Sequence, residues 1–213
     1  MIISAGTIIS SLQSDRLTKL LGTGKLTAIS SLIIAVSLFG FSISSSYLML
    51  VLWAIPYGLG AGSVDASLNN YVALHYKSRH MSWLHCMWGV GASVGPYIMS
   101  LALTGGSGWN GGYYYIGIIQ TALTAVLFIS LPLWKKQSIP TSESTPKKPM
   151  PLKQVIKIKG VKYIMITFFC YCALEQCAGL WASSYLVLFK NIDTETAATF
   201  ASLFYFGITF GRF

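Results

Sequence analysis

Long apolar runs, separated by short polar or charged stretches, make up nearly the whole chain. The runs are continuous rather than alternating, which favours membrane-crossing helices over the strands of a barrel. Charged residues mark the ends of the runs and give seven predicted spans, at 1–14, 26–44, 47–75, 81–104, 112–134, 161–189 and 196–213. Because a helix needs about 20 residues to cross the hydrocarbon core, the first and last spans are expected to be incomplete.

The composition supports a membrane protein and argues against an enzyme. Of the 213 residues, 54% are hydrophobic and 10% are charged, whereas a typical soluble domain has about 25% charged residues. The cysteines lie within apolar runs without the paired spacing of a zinc site, and we interpret them as small core residues. We find no phosphate-binding loop, nucleophile elbow or metal-ligand cluster in the sequence, so neither catalysis nor a cofactor is expected.

The distribution of basic residues predicts the orientation in the membrane. The net charge of +9 comes largely from eight lysines between Lys135 and Lys162, a concentration that indicates a loop beside anionic lipid rather than a nucleic-acid partner. The three connections on the opposite side of the membrane contain one lysine in all, Lys190. Because Lys and Arg are enriched on the cytoplasmic side, the loops 15–25, 76–80 and 135–160 are predicted to be cytoplasmic in a multi-pass protein of the cell membrane.

Residues 135–160 also predict the domain organisation. They are rich in Pro, Ser, Thr and Lys, a composition that buries little apolar surface and favours a flexible connector. The chain is therefore divided into a helical first half at 1–134, a basic linker at 135–160 and the start of a second helical half at 161–213.

Two features resemble the major facilitator superfamily. The residues Gly6, Asp15, Arg16, Gly22 and Lys25 are similar to the cytoplasmic gating motif that follows its second helix, and the basic linker is similar to the connector between its two halves. The resemblance implies an all-α transmembrane bundle of about twelve helices. This chain would be a fragment with about seven of them, from within the second to within the eighth, and the full-length protein would be monomeric.

Three stretches, at 58–71, 84–96 and 173–186, resemble the fucose permease-like branch, whose members carry sugars together with protons. The branch often has a carboxylate followed by Asn in its fourth helix, matched here by Asp65 and Asn69. The resemblance implies that Asp65 couples proton movement to transport.

Position in the chain singles out Glu175. It lies 13 residues after Lys162 and 15 before Lys190, which at about 1.5 Å per residue places it near the bilayer midplane. An acid at that depth costs about 2.5 to 3.5 kcal/mol and usually faces a bundle interior or a wet cavity. Since a low-dielectric site favours a protonated carboxyl group, we predict that Glu175 binds the solute or a second proton. The alternative is an acid that only hydrogen-bonds a neighbouring helix.

Helical spacing places Asp65 and His85 beside small residues. Gly58, Gly62, Asp65 and Asn69 follow the spacing of one helical face, which predicts an inward face with two polar groups. Asp65 lies 12 residues before Lys77, so a residue at the span boundary is the alternative. His85 is a third proton-coupling candidate because histidine titrates near neutrality. The alternative is a histidine that is satisfied by the protein or lies at the membrane interface.

Sugar sites combine aromatic planes with amides and carboxylates. Amides within apolar spans are the stronger candidates because lipid cannot satisfy their hydrogen bonds, whereas an aromatic side chain also fits the interfacial belt. The predicted solute-binding residues are Asn69, Asn70, Trp88, Gln120, Gln176, Trp181 and Tyr185.

The sequence therefore predicts a secondary active transporter that moves a small polar solute, a sugar, by proton-coupled alternating access around a midplane site. Its partners would be the solute, protons and the lipid bilayer, without nucleic acid. Two alternatives stay open. One is an exporter of amphipathic drugs on the same fold, with a more aromatic and methionine-rich site, and the other is a non-transporting membrane receptor or an inactive fragment.

Overall fold

A computed structural model describes residues 1–135 and 152–211. All regular structure in these two ranges is helical, which confirms the predicted all-α class. The helices are α1 (Ile2–Leu21), α2 (Thr23–Ser42), α3 (Tyr47–His75), α4 (Ser78–Thr104), α5 (Gly108–Lys135), the single turn α6 (Leu152–Val155), α7 (Val161–Lys190) and α8 (Thr194–Phe210). Within the described ranges, α2, α3, α4, α5 and α7 are long and apolar enough to cross a membrane.

The apolar runs predicted the location of each helix more accurately than the residues at which it ends. α3 has the predicted bounds, but α1 continues past Ser14 to Leu21. The charged stretch remains helical, and in it Lys19 Nζ and Asp15 Oδ2 form an ion pair at 2.7 Å one turn apart, a spacing that suits a helix surface. The charges therefore mark the end of the apolar surface and not the end of the helix.

The connections are correspondingly shorter than predicted. The 15–25 segment is helical except for Gly22, whose φ of 77° lies in the left-handed region that glycine adopts without steric cost. The 76–80 segment is reduced to Tyr76 and Lys77, since α4 begins at Ser78. Of the predicted linker, residues 136–151 lie outside the described residues.

The described helices belong to two compact units. Met1–Gln137 and Tyr205–Phe213 form the first, and Ser138–Phe204 the second. In the first unit α1 packs along α3, α2 lies against α3 and α5, and α5 also contacts α4. In the second unit Ser183 Oγ donates to the Ala197 carbonyl oxygen at 3.0 Å, which joins α7 to α8.

Glycines allow α1 and α3 to approach closely. A Cβ atom at Gly6 would lie 3.2 Å from Gly58 Cα, and one at Gly62 would lie 2.8 Å from Thr7 Cα while overlapping the Thr7 carbonyl oxygen. Small residues favour this kind of helix contact in membranes, where packing rather than water exclusion drives association. We call Gly6, Gly58 and Gly62 the glycine contact.

Hydroxyl groups on α1 line the same contact and donate to α3 carbonyl oxygens. Ser10 Oγ donates to the Leu59 oxygen at 2.5 Å, and Ser11 Oγ donates to the Gly62 oxygen at 3.2 Å. Ser10 also bonds the Ser63 hydroxyl, and both serines are buried. The close approach of the backbones thus brings short polar side chains within reach of partners that lipid does not supply.

A second polar contact joins α2 to α5. Gln120 Nε2 donates to Ser31 Oγ at 2.8 Å, Ser31 Oγ and Thr124 Oγ1 are 2.9 Å apart, and Thr124 Oγ1 donates to the Gln120 carbonyl oxygen at 2.8 Å. Because the Thr124 proton goes to that carbonyl, Ser31 is the donor to Thr124. Each hydroxyl hydrogen has one acceptor, so the two hydroxyl groups and the Gln120 amide N–H form one connected set of hydrogen bonds between α2 and α5.

We expect Gly62→Ala to destabilise the protein by about 1 to 3 kcal/mol, the usual cost of overpacking, because the new methyl group would push α1 away from α3. Gly91→Ala is the matched control, since a Cβ atom there meets nothing within 4 Å and alanine favours a helix by about 1 kcal/mol. Thermal unfolding in one detergent measures both. Equal melting temperatures for Gly62→Ala and Gly91→Ala would contradict the glycine contact.

We also expect the Gln120→Leu and Ser31→Ala substitutions to be coupled. A double-mutant cycle should give an interaction energy of about 0.6 kcal/mol, the average for interhelical hydrogen bonds in a membrane protein. Gln120→Leu with Ser37→Ala is the control, because Ser37 Oγ bonds the Ile33 oxygen of its own helix at 2.7 Å. If both cycles are additive in unfolding experiments, the network carries no interhelical energy.

Candidate functional site

Asp65 and Asn69 form a direct contact on α3. Asn69 Nδ2 donates to Asp65 Oδ1 at 3.0 Å, because residues four apart lie on the same side of a helix, one turn apart. Asp65 is exposed and Asn69 is half-buried. The amide therefore holds one oxygen of the carboxylate and leaves the other side of the group open.

The second polar atom of Asn69 is not satisfied. Asn69 Oδ1 is buried and has no hydrogen-bond partner within the described ranges. A buried acceptor without a partner costs about 1 to 3 kcal/mol. The pair thus combines an exposed carboxylate with a buried amide acceptor, which a ligand's hydroxyl or ammonium donor reaches only if the surrounding helices move.

The face that the sequence predicted on α3 has two different environments. Gly58 and Gly62 are buried in the glycine contact, as the spacing indicated, whereas Asp65 is exposed and Asn69 is half-buried. The small residues serve helix packing and the polar residues lie farther along α3. Asn70, the next residue, is also exposed.

Glu175 has the opposite environment from its neighbours on α7. Only 6% of its surface is exposed, and it is the buried residue of this helix, while Leu174 is 67% exposed. An ordinary amphipathic helix buries its leucines and exposes its acids. On α7 this pattern is reversed, because the acid is buried and the neighbouring leucine is exposed.

The other α7 candidates do not share this burial. Gln176 is exposed, as are Trp181 and Tyr185. Lys190 Nζ lies 5.9 Å from the centre of the Tyr185 ring, a cation–π arrangement near the end of the helix. Such a position also fits the interfacial alternative for Tyr185, and its role in solute binding stays a prediction.

On α4 the candidates lie beside a contact with the last turns of α8. The Trp88 ring meets Tyr205 edge to face, with centroids 6.2 Å apart. Between His85 and Trp88, the buried Cys86 Sγ donates to the Thr209 oxygen at 3.7 Å. His85 and Trp88 themselves are exposed, so the contact with α8 leaves much of both side chains accessible.

Gln120 and the gating-motif residues are dispersed. Gln120 belongs to the α2–α5 network with Ser31, and Gly6 belongs to the glycine contact. Farther along α1, Asp15 pairs with Lys19. Arg16 lies before the Gly22 turn and Lys25 after it, and both side chains are exposed. The structure therefore separates Gly6 from the rest of the motif.

An aromatic cavity was not predicted from the sequence. It has a volume of about 360 Å³ and lies where α1 begins, α2 ends and α3 and α5 begin, with aromatic lining from Phe41, Tyr47, Tyr57 and Tyr113. Phe41 connects two of the tyrosines, with ring centroids 5.7 Å from Tyr57 and 5.2 Å from Tyr113. The available signal was the accumulation of aromatic residues at the corresponding ends of three apolar runs. In the described residues no group of three or more His, Cys, Asp or Glu side chains is placed to hold a metal ion.

Comparison with known proteins identifies the family. The family model of the Major Facilitator Superfamily matches residues 1–213, the whole chain. No curated protein and no solved structure matches it. Together with the five helices that are long and apolar enough to cross a membrane, the match shows a multi-pass integral membrane protein. The chain belongs to the Major Facilitator Superfamily, whose members are secondary transporters that move small solutes across membranes.

Proposed function

We propose that this chain is part of a proton-coupled transporter of the fucose permease-like branch, which carries a small polar solute, a sugar, by alternating access. The observation that supports it most is the Asp65–Asn69 contact of 3.0 Å on a helix long enough to cross the membrane. Acidic residues within such helices are costly and mark ion or substrate pathways. Through this contact, the charge of the Asp65 carboxyl group affects the strength of its hydrogen bond with the Asn69 amide.

Proton and solute binding are linked through the Asn69 amide. While Asp65 is ionised, the Asn69 N–H group makes a charge-assisted hydrogen bond, which is about twice as strong as a neutral one. Protonation of Asp65 weakens that bond and frees the amide for a solute hydroxyl group. A helix movement that opens Asn69 Oδ1, which is buried here, lets this oxygen accept from a second hydroxyl. Because linkage is reciprocal, the bound solute in turn favours the protonated carboxyl group.

Glu175 is proposed as a solute ligand or second proton site in the other half of the transporter. Its burial on a helix whose other described side chains are exposed or half-buried supports this role, because an acid near the predicted midplane is costly in lipid and usually marks an ion or substrate pathway. The further proposed ligands are His85 for protons and Asn70, Trp88, Gln120, Gln176, Trp181 and Tyr185 for the solute.

The proposed topology follows the charge distribution. The helical halves at 1–134 and 161–213 are joined by a cytoplasmic linker at 135–160, and the chain is proposed to be a fragment of a longer, monomeric carrier of the cell membrane. The connections around Gly22 and Lys77 face the cytoplasm in this arrangement. Transport experiments therefore use the full-length encoded product.

The aromatic cavity favours a second candidate, an exporter of amphipathic drugs. Its lining includes Met1, Phe41, Tyr57 and Tyr113 and contains neither an amide nor a carboxylate side chain. Drug-sized ligands fit cavities of about 300 to 1,000 Å³ with mainly apolar and aromatic walls. The two candidates thus place their substrates against different side chains of the first unit.

Asp65→Asn in the full-length protein should abolish proton-driven accumulation of sugar while retaining exchange of labelled for unlabelled sugar. Exchange needs no net proton movement, whereas accumulation does. In proteoliposomes a gradient of one pH unit, equivalent to about 1.4 kcal/mol per proton, supports about tenfold accumulation at one proton per solute. The Asp65→Asn variant should show no accumulation of sugar.

Asp193→Asn is the matched control for this experiment. Asp193 Oδ1 accepts from Thr196 N at 2.8 Å before the first turn of α8, and asparagine also serves well as a helix N-cap. This variant should accumulate sugar like the unmodified protein. Full pH-driven uptake by Asp65→Asn would refute the coupling role of Asp65.

A comparison of sugars with an amphipathic cationic dye separates the two candidate functions. If the protein is a sugar carrier, Asn69→Ala should raise the sugar KM about tenfold, the effect of about 1.4 kcal/mol, and Tyr57→Ala should leave it unchanged. Dye efflux that is lost in Tyr57→Ala, without sugar uptake by the unmodified protein, would favour the exporter.

A further inference from the structure

Exposed and half-buried basic and aromatic side chains are concentrated where α3 ends, α4 begins and α5 ends. We call this group the α3–α4 corner, and it consists of Tyr71, His75, Tyr76, Lys77, Arg79, His80, Trp83 and Trp134. The segment His75–His80 reads HYKSRH and contains no acidic residue. None of the solute or proton ligands proposed above belongs to it.

The aromatic rings of the corner form a continuous series of contacts. Tyr71 stacks on His75 with centroids 4.4 Å apart and meets Trp134 at 5.3 Å. The His80 ring lies 5.3 Å from both Tyr76 and Trp83. The contacts connect the ends of three helices, so the corner presents one surface rather than separate side chains.

The cations of this surface are not neutralised by protein carboxylates. Arg79 Cζ lies 6.0 Å from the centre of the Trp83 ring, close enough for a cation–π interaction. Within the part of the chain that the structure describes, the one ion pair joins Lys19 to Asp15, so Lys77 and Arg79 have no acidic partner there.

The two histidines use a ring nitrogen locally. His75 Nδ1 bonds the Tyr71 oxygen at 2.9 Å, and His80 Nδ1 bonds the Lys77 oxygen at 3.3 Å. Among the corner residues, Lys77 and Arg79 are the ones that carry a permanent positive charge near neutral pH.

The position of the corner at the ends of apolar helices indicates the chemistry of the partner that binds there. Tyr76 is 43% exposed and Trp83 is 51% exposed, at the ends of helices that are long and apolar enough to cross the membrane. Aromatic side chains at this level face the headgroup region. A phospholipid offers glycerol and upper acyl groups to the rings and a phosphate to the cations, so one molecule of the membrane matches both kinds of side chain.

We propose that the α3–α4 corner binds the headgroup of an anionic phospholipid, with Lys77 and Arg79 on the phosphate and Trp83 and Tyr76 against the glycerol region. Arginine suits this role because its planar donors match phosphate oxygens and its face stacks on an aromatic ring. The proposal depends on the corner's position at the membrane surface and is independent of the solute.

The experiment measures lipid binding to the full-length protein in a non-ionic detergent. Phosphatidylglycerol or phosphatidylcholine is titrated, and the bound fraction is read by native mass spectrometry. We expect phosphatidylglycerol to bind more tightly. Lys77→Ala and Arg79→Ala should each weaken it about fivefold, which corresponds to about 1 kcal/mol per basic residue, without changing phosphatidylcholine binding. Arg79→Lys keeps the charge but loses the planar donors and the stacking face, so it should weaken phosphatidylglycerol binding less than Arg79→Ala without restoring it fully.

Lys190→Ala is the matched control because it removes the same charge from a similar cation–π pair with Tyr185, at a helix end that the charge distribution predicts to be on the opposite surface. It should leave phosphatidylglycerol binding unchanged. Each variant is compared only when it is monodisperse, and the two alanine variants provide independent tests.

Three results would overturn the proposal: equal binding of the two lipids, equal effects of Arg79→Ala and Lys190→Ala, or displacement of phosphatidylglycerol by excess inorganic phosphate. The last would identify free phosphate as the ligand. Because the readout is binding, a failure here is distinguishable from a failure of proton-coupled transport, and neither result determines the other.

Discussion

A hydrocarbon environment cannot satisfy polar groups, and this constraint shapes the whole molecule. Backbone groups are satisfied within helices, and hydroxyl groups are satisfied by carbonyl oxygens of the same or a neighbouring helix, as Ser10 is by Leu59. Against this background, a polar atom without a partner stands out, and Asn69 Oδ1 has none within the described ranges. Glu175 stands out for a different reason, because it is buried on a helix where large apolar side chains such as Leu174 are exposed. The reasoning that explains the packing thus also identifies the candidate site.

Packing and binding use the same helix, α3, in different ways. Gly58 and Gly62 bring the α1 backbone close enough for side-chain hydroxyl groups to reach α3 carbonyls. Asp65 and Asn69 lie farther along, where the carboxylate is exposed. Still farther on, Tyr71 and His75 begin the α3–α4 corner. One helix therefore carries a packing contact, a proposed proton and solute site and a proposed lipid site in succession, each defined by different side-chain chemistry.

Family membership and function have different physical support. The family match covers the whole chain and agrees with a bundle of long apolar helices, since fold class depends on features repeated along the entire sequence. The solute depends on a few side chains in a cavity, and members of one fold differ at those positions. The Asp65–Asn69 contact supports proton coupling, whereas the aromatic cavity beside Tyr57 suits a different ligand, so the functional proposal depends on local chemistry.

The sequence by itself determined the all-α class, the membrane location and the approximate position of each long helix, because hydropathy and helical spacing are local properties. It also made Asp65 and Asn69 neighbours, since residues four apart meet on any helix. Only the tertiary structure decided that α1 contacts α3 at Gly62, that Gln120 bonds Ser31 across 89 residues of sequence and that Glu175 is buried. These contacts depend on how helices cross, and the crossing follows from the fit of surfaces that are distant in the chain.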